Sequence, residues 1–175
     1  SDVEEDVVAS IETLTARAKL AAQYGVKLCC KAHVNSAIYN TPTTLRAMEE
    51  IQLDSFGVDM DPSHIHRAGE KPEEALAQVV SRMGHVHIRD CKGPGPSPGA
   101  PADQACGRGE INLKGYFQAL VDAGVNYIDT ARGYTVSEEY LGYALEGIRD
   151  KFVIATKSMS RTKDAMAADI DISLK

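Results

Sequence analysis

All five histidines fall between positions 33 and 87: His33, His64, His66, His85 and His87. Asp61 and His64 are spaced Asp-x-x-His, and His87 and Asp90 are spaced His-x-x-Asp. If these pairs leave neighbouring strands of a parallel sheet, they meet at the carboxyl ends, where α/β folds build their sites. Side chains alternate along a strand, so His85 and His87 share one face and Val86 opposes them. Imidazole and carboxylate together suit a divalent cation such as Mn²⁺, Zn²⁺, Co²⁺ or Mg²⁺. The competing reading is that strand-end histidines only close loops by bonding backbone groups.

The elements that would position these groups alternate along the chain. Val7, Ile11, Leu14 and Ala18 recur at helical spacing and predict a helix over about 2–24, ended by Gly25. The apolar run 26–30 predicts a strand. Thr41 as N-cap and Pro42 at the first position open the next helix. Further strands are predicted over 55–60, 85–89, 125–129 and 151–156. Helices are predicted from Pro72 to a stop at Gly84, over 113–123, from a Ser137 cap to Gly147, and from about Thr162 onward. The stretch 91–109 is rich in Pro and Gly and is long enough to be a functional loop.

Strand–helix alternation of this kind implies right-handed βαβ units and a parallel sheet. The expected fold class is therefore α/β, a single domain over 1–175 with about five parallel βα units. A complete (β/α)8 barrel needs eight units and roughly 250 residues. The expected architecture is thus a partial or chimeric TIM-barrel-like one. Its unpaired edge strands predict a homo-oligomer, or a piece of a longer chain, which the start at Ser1 rather than Met also fits.

Composition narrows the partners. The net charge is −6 and Lys and Arg do not cluster, which argues against nucleic acid. No apolar run approaches the roughly 20 residues of a membrane span. The four cysteines, Cys29, Cys30, Cys91 and Cys106, form no C-x-x-C pair and read as small core residues of a cytosolic protein.

Three motifs carry a family resemblance over about residues 1–120. They are Gly57-Val58-Asp59-Met60-Asp61-Pro62-Ser63-His64, His85-Val86-His87-Ile88-Arg89-Asp90 and Gly107-Arg108-Gly109-Glu110-Ile111-Asn112. In this order they resemble the sugar phosphate isomerase/epimerase family, the xylose-isomerase-like TIM barrel group. The resemblance implies a carbohydrate substrate and a divalent metal held by Glu, Asp, His and Glu from four strand ends. Asp61 then falls on the aspartate ligand and His87 on the histidine ligand. His64 falls on a position that either contacts substrate or supports the ligands from behind, and Arg108 on a substrate-contacting arginine. The first glutamate's place reads Lys31-Ala32-His33. Lys31 there would face a substrate phosphate or carboxylate, with His33 beside it as a substrate contact or replacement ligand. The last glutamate's place reads Tyr127-Ile128-Asp129, with the shorter Asp129 as its substitute.

A second resemblance covers about residues 120–175. The segments running from Asn126 to Tyr134, from Ser137 to Leu145 and from Phe152 to Ser158 are similar to an aldo-keto reductase. This implies catalytic roles for Tyr134 as proton donor, for Lys157, which lowers its pKa, and for Asp129, paired with the lysine. A tyrosine titrating near ~10 needs such help at neutral pH. The family's nicotinamide-binding segments would lie beyond Lys175 and no G-x-G-x-x-G appears, so NADP is not expected to bind. The two parts, 1–120 and 121–175, join in or just after the helix over 113–123. The leading functional expectation is a metal-dependent sugar or sugar-phosphate isomerase or epimerase, degenerate in its ligand set. The alternatives are a non-catalytic fused scaffold and an aldo-keto reductase remnant.

Overall fold

The computed structural model describes residues 3–134 and 136–174. The helices are α1 (Glu4–Gln23), α2 (Thr41–Glu50), α3 (Pro62–Arg67), α4 (Pro72–Val79), α5 (Leu113–Asp122), α6 (Ser137–Ala144) and α7 (Lys163–Ser173). The strands are β1 (Leu28–Lys31), β2 (Phe56–Met60), β3 (Met83–Val86), β4 (Tyr127–Asp129) and β5 (Val153–Ala155). All pairing is parallel, in two sheets ordered β1-β2-β3 and β4-β5. The described residues are thus α/β with five parallel strands, a partial barrel wall in two segments, as the strand–helix alternation predicts.

The even-numbered residues of β2, Phe56, Val58 and Met60, are buried in the core. They join Val7, Ile11 and Ala18 of α1, Ala47 and Met48 of α2, and Leu76 of α4 in one apolar cluster. That cluster continues through Tyr116, Phe117 and Leu120 of α5 to Ile128 and Phe152, so one core spans both sheets. The Phe117 and Phe152 rings meet edge-on with centroids 6.0 Å apart. The odd-numbered face of β1–β3 carries the polar groups. Its floor is small: a Cβ on Gly57 would lie 3.4 Å from Cys29 Sγ, and one on Gly84, brought to the same side by the irregular register between Val58 and Asp59, only 2.6 Å from it.

Several boundaries differ from the sequence reading for local reasons. Asn40, not Thr41, caps α2: its Oδ1 accepts from Thr43 N at 3.0 Å, while Thr43 Oγ1 accepts from Asn40 N at 3.4 Å. Gly84 does not stop a helix. A 3₁₀ turn over Val80–Arg82 ends that segment, and Gly84 lies within β3, where close packing on Cys29 excludes a side chain. Ser137 is the first residue of α6 rather than its cap, and its hydroxyl pairs with Thr130 Oγ1 at 2.9 Å. The short helix α3 was not anticipated; Asp61 caps it, Oδ1 accepting from Ser63 N at 3.0 Å. Cys91 and Cys106 are buried, Cys29 and Cys30 half-buried, and all four are free. No helix among the described residues is long and apolar enough to cross a membrane.

Candidate functional site

Three strand ends build the principal site. In the parallel register Lys31 of β1 lies opposite Asp59 of β2, and Asp59 lies opposite His85 of β3. Asp61 and His87 follow two residues further along, on the same face. Pairing persists past β3, because His87 N donates to Met60 O at 2.7 Å. Tyr116, fully buried under this end, donates its hydroxyl to His87 O at 3.3 Å.

Asp59 gathers both imidazoles: its Oδ1 lies 3.0 Å from His85 Nδ1 and 2.9 Å from His87 Nδ1. The two rings stand edge-on with centroids 4.9 Å apart. Lys31 Nζ lies 3.2 Å from His87 Nε2, 3.3 Å from Asp61 Oδ2 and 3.6 Å from Asp59 Oδ2. Asp61 is inaccessible to solvent, with Arg89 Nε 3.6 Å and His64 Nε2 3.9 Å away. Burial pushes the Asp61 carboxyl up, but Arg89, His64 and Lys31 together outweigh it and the net direction is down. Burial likewise raises Asp59, and His85, His87 and Lys31 bring it below its ordinary value.

His64 belongs to a quieter neighbourhood. It is buried, its Nδ1 accepts from Val34 N at 3.4 Å, and its ring lies 3.8 Å from that of His33. Burial lowers its pKa to about 4, against the opposing pull of Asp61, so the ring is neutral at physiological pH. His33 is turned to the backbone, with Nδ1 2.7 Å from Val34 O. Arg108 is exposed and its guanidinium lies over the Tyr140 ring, 5.6 Å from the centroid. Asp90, paired with His87 by spacing, serves the loop instead. Its buried carboxylate accepts from the backbone N–H groups of Cys91, Gly107, Gly109 and Ile111 at 2.9–3.1 Å.

Part of this donor set suits a divalent cation. Asp59, His85 and His87 each offer a ligand atom, all within 4.8 Å of one another, a set that fits a metal of mixed N/O preference. The Asp61–His87 pair does not fit as it stands, because the Lys31 ammonium bonds both of the facing donor atoms. Asp59 was not singled out from the sequence, and His85 was placed beside His87 without a ligand role of its own. The alternation that paired His85 with His87 applies equally to Asp59-Met60-Asp61 and would have found Asp59.

The second set also comes together. Lys157 Nζ bonds Asp129 Oδ1 and lies 5.5 Å from the centroid of the Tyr134 ring. Asp129 ends β4, Tyr134 lies in the turn that follows it and Lys157 lies just past β5, and all three are exposed. A cavity of about 660 Å³ between β3 and β4 is lined by His85 and His87 from one sheet and by Asp129 and Tyr134 from the other. That volume lies within the usual range for small-molecule sites.

A family model described as "Xylose isomerase-like TIM barrel" matches residues 1–150, running past residue 120 into β4 and α6. Inosose dehydratase of Histophilus somni (strain 129Pt) is 31% identical over 78 residues, 43% of this chain and 26% of that protein. Inosose dehydratase of Geobacillus thermodenitrificans (strain NG80-2) is 28% identical over 89 residues, 51% of this chain and 30% of that protein. Among solved structures, a D-tagatose 3-epimerase-like protein superposes with a TM-score of 0.66 at 21% identity, covering 83% of this chain and 56% of that one. The IOLI protein with a binding zinc atom gives 0.59 at 19% identity, covering 98% and 53%. These likenesses show a shared fold. The chain spans a quarter to a third of the length of these curated relatives and about half of these solved chains.

Proposed function

The chain belongs to the xylose isomerase-like TIM barrel family, and from that premise we propose that the ends of β1–β3 form a site for a polyhydroxy carbonyl compound undergoing isomerase- or epimerase-type proton transfer. A sugar, a sugar phosphate or a cyclic polyol ketone has this chemistry. The observation that carries the reading is the row Lys31, Asp59, His85, with Asp61 and His87 beyond it, on one face of three consecutive strands. Asp59, His85 and His87 would hold a divalent cation, with Asp61 as the further ligand that the family resemblance implies. When bound, such a cation polarises a carbonyl and its neighbouring hydroxyl.

The chain's own groups divide the remaining work. Asp59 and Asp61 have depressed pKa values and are ionised at neutral pH; Asp59, the more accessible of the two, accepts hydrogen bonds from substrate hydroxyls, while the buried Asp61 holds Lys31 and Arg89 in place. Neutral His64, with His33 against it, offers polar contact without charge. Lys31 and Arg89 balance the two carboxylates. Arg108 on the loop before α5 is the proposed contact for an anionic substituent. The test is native mass spectrometry of metal-stripped protein with Mn²⁺ or Zn²⁺ added back, followed by a screen of ketoses and their phosphates. One metal per chain, lost in His87→Ala, together with turnover of any member supports the reading. Metal-free protein without turnover sinks it and leaves a non-catalytic scaffold.

A second reading rests on the Asp129–Lys157 ion pair with the Tyr134 ring beside it. It treats residues 121–175 as an aldo-keto reductase-like part joined to a 1–120 isomerase-like part. NADPH fluorescence titration decides it: no change on mixing rejects the reductase role.

A further inference from the structure

We propose that Lys31 is the resident cation of this site: its ammonium stands where a divalent ion must bind to reach Asp61 and His87, and a metal enters only by displacing it. The inference deepens the cation-site reading above and rests on it for the position, not for any turnover.

The argument begins with hydrogens. An ammonium only donates. Lys31 Nζ lies 3.3 Å from Asp61 Oδ2 and 3.2 Å from His87 Nε2. His87 must therefore present its Nε2 lone pair to Lys31 and carry its proton on Nδ1. That proton faces Asp59 Oδ1 at 2.9 Å, which accepts it. The chain Lys31→His87→Asp59 is thus consistent in one tautomer only. A metal bound by His87 through Nε2 needs the direction that Nζ occupies. A metal bound through Nδ1, in the set with Asp59 and His85, forces the proton to Nε2, where it meets another donor. Either mode requires Lys31 to withdraw.

Charge points the same way. Asp59 and Asp61 bring two negative charges, and Lys31 and Arg89, within 3.6 Å of them, bring two positive ones. The cluster is balanced without a metal, and an added divalent ion is repelled by a cation a few ångströms away. Lys31 has somewhere to go: its side chain is partly exposed, and the residue borders a groove of about 540 Å³ beside α1 that also includes Asp6 and Arg17.

The experiment is isothermal titration of Mn²⁺ and Zn²⁺ into the metal-stripped 175-residue chain, as wild type, Lys31→Met and Lys31→Glu. Removing the ammonium should tighten binding at least about tenfold in Lys31→Met, and the added carboxylate should tighten it further in Lys31→Glu. Equal affinity in all three proteins, or no binding by any, overturns the proposal. The wild type supplies a second measurement that needs no variant. In metal-free protein, ¹⁵N chemical shifts of His87 should report a proton on Nδ1, and a proton on Nε2 overturns the proposal. Failure to convert any ketose would leave both readouts unchanged, so the two readings fail separately.

Discussion

Lys31 and Asp59 lie directly opposite each other in the β1–β2 ladder, and their charged ends meet at 3.6 Å. Asp59 in turn lies opposite His85 and accepts from His87. One carboxylate therefore links three strands at the point where the polar face begins. Neighbouring strands are held about 4.8 Å apart, so a change at Asp59 reaches both sides of it.

Asp59→Ala should weaken Mn²⁺ or Zn²⁺ binding by about tenfold or more, because both imidazoles lose the group that orients them. Asp122→Ala, at the far end of α5, should leave affinity unchanged. Titration calorimetry of both variants checks this, and equal affinities would remove Asp59 from the site.

Asp90→Ala should cost at least about 3 kcal/mol, since four backbone donors lose a charged acceptor at once. Urea denaturation measures the loss, and limited proteolysis should now cut within 91–111. Gly109→Ala should open the same loop, because a Cβ there would lie 2.1 Å from Asp90 Oδ1.

His64 sets a pH dependence. Its folded-state pKa of about 4 lies below its unfolded value, so between the two the unfolded chain binds more protons. Stability should therefore be full above about pH 6.5, fall as the pH drops towards 4, and level off below, a change on the order of 3 kcal/mol. Urea midpoints from pH 4.5 to 7.5 should slope less in His64→Gln. Parallel slopes would show that His64 does not contribute.

Tyr116→Phe should destabilise the fold by about 1 kcal/mol through loss of the bond to His87 O. A null result in thermal or urea unfolding would show that this bond contributes nothing.

Tyr127 and Val153 oppose each other in the β4–β5 ladder and both are exposed. With open strand edges beside them, a second copy of this chain is the expected cover. Sedimentation should show mass above the monomer at micromolar concentration, reduced by Tyr127→Lys with Val153→Lys. A monomer at every concentration would count against self-association.

What was legible in the sequence follows period and order. Glycine stops, helical spacing and apolar runs gave the strand–helix succession, and alternation put His85 and His87 together. The same alternation holds Asp59 beside Asp61, but the family motif drew attention to Asp61 alone. Lys31 looked like a lost ligand because its charge was read by itself; its position between Asp61 and His87 depends on inter-strand register, which no local pattern carries. Asp90 was grouped with His87 by spacing for a similar reason. Its partners are separated from it by up to 21 positions and return only when the 91–109 loop folds back. The Asn40 cap was missed because Thr41-Pro42 offers a nearly equal signal one residue later.

The cavity between β3 and β4 has a consequence for how the two sheets depend on each other. Its walls come from β1-β2-β3 on one side and β4-β5 with the turn after β4 on the other, and among the described residues no strand pairing joins them. Its width is therefore set by the shared apolar core beneath, not by a hydrogen-bond ladder. Any molecule admitted there faces His85 and His87 on one side and Asp129 and Tyr134 on the other, and a substitution in either wall alters the surroundings of both.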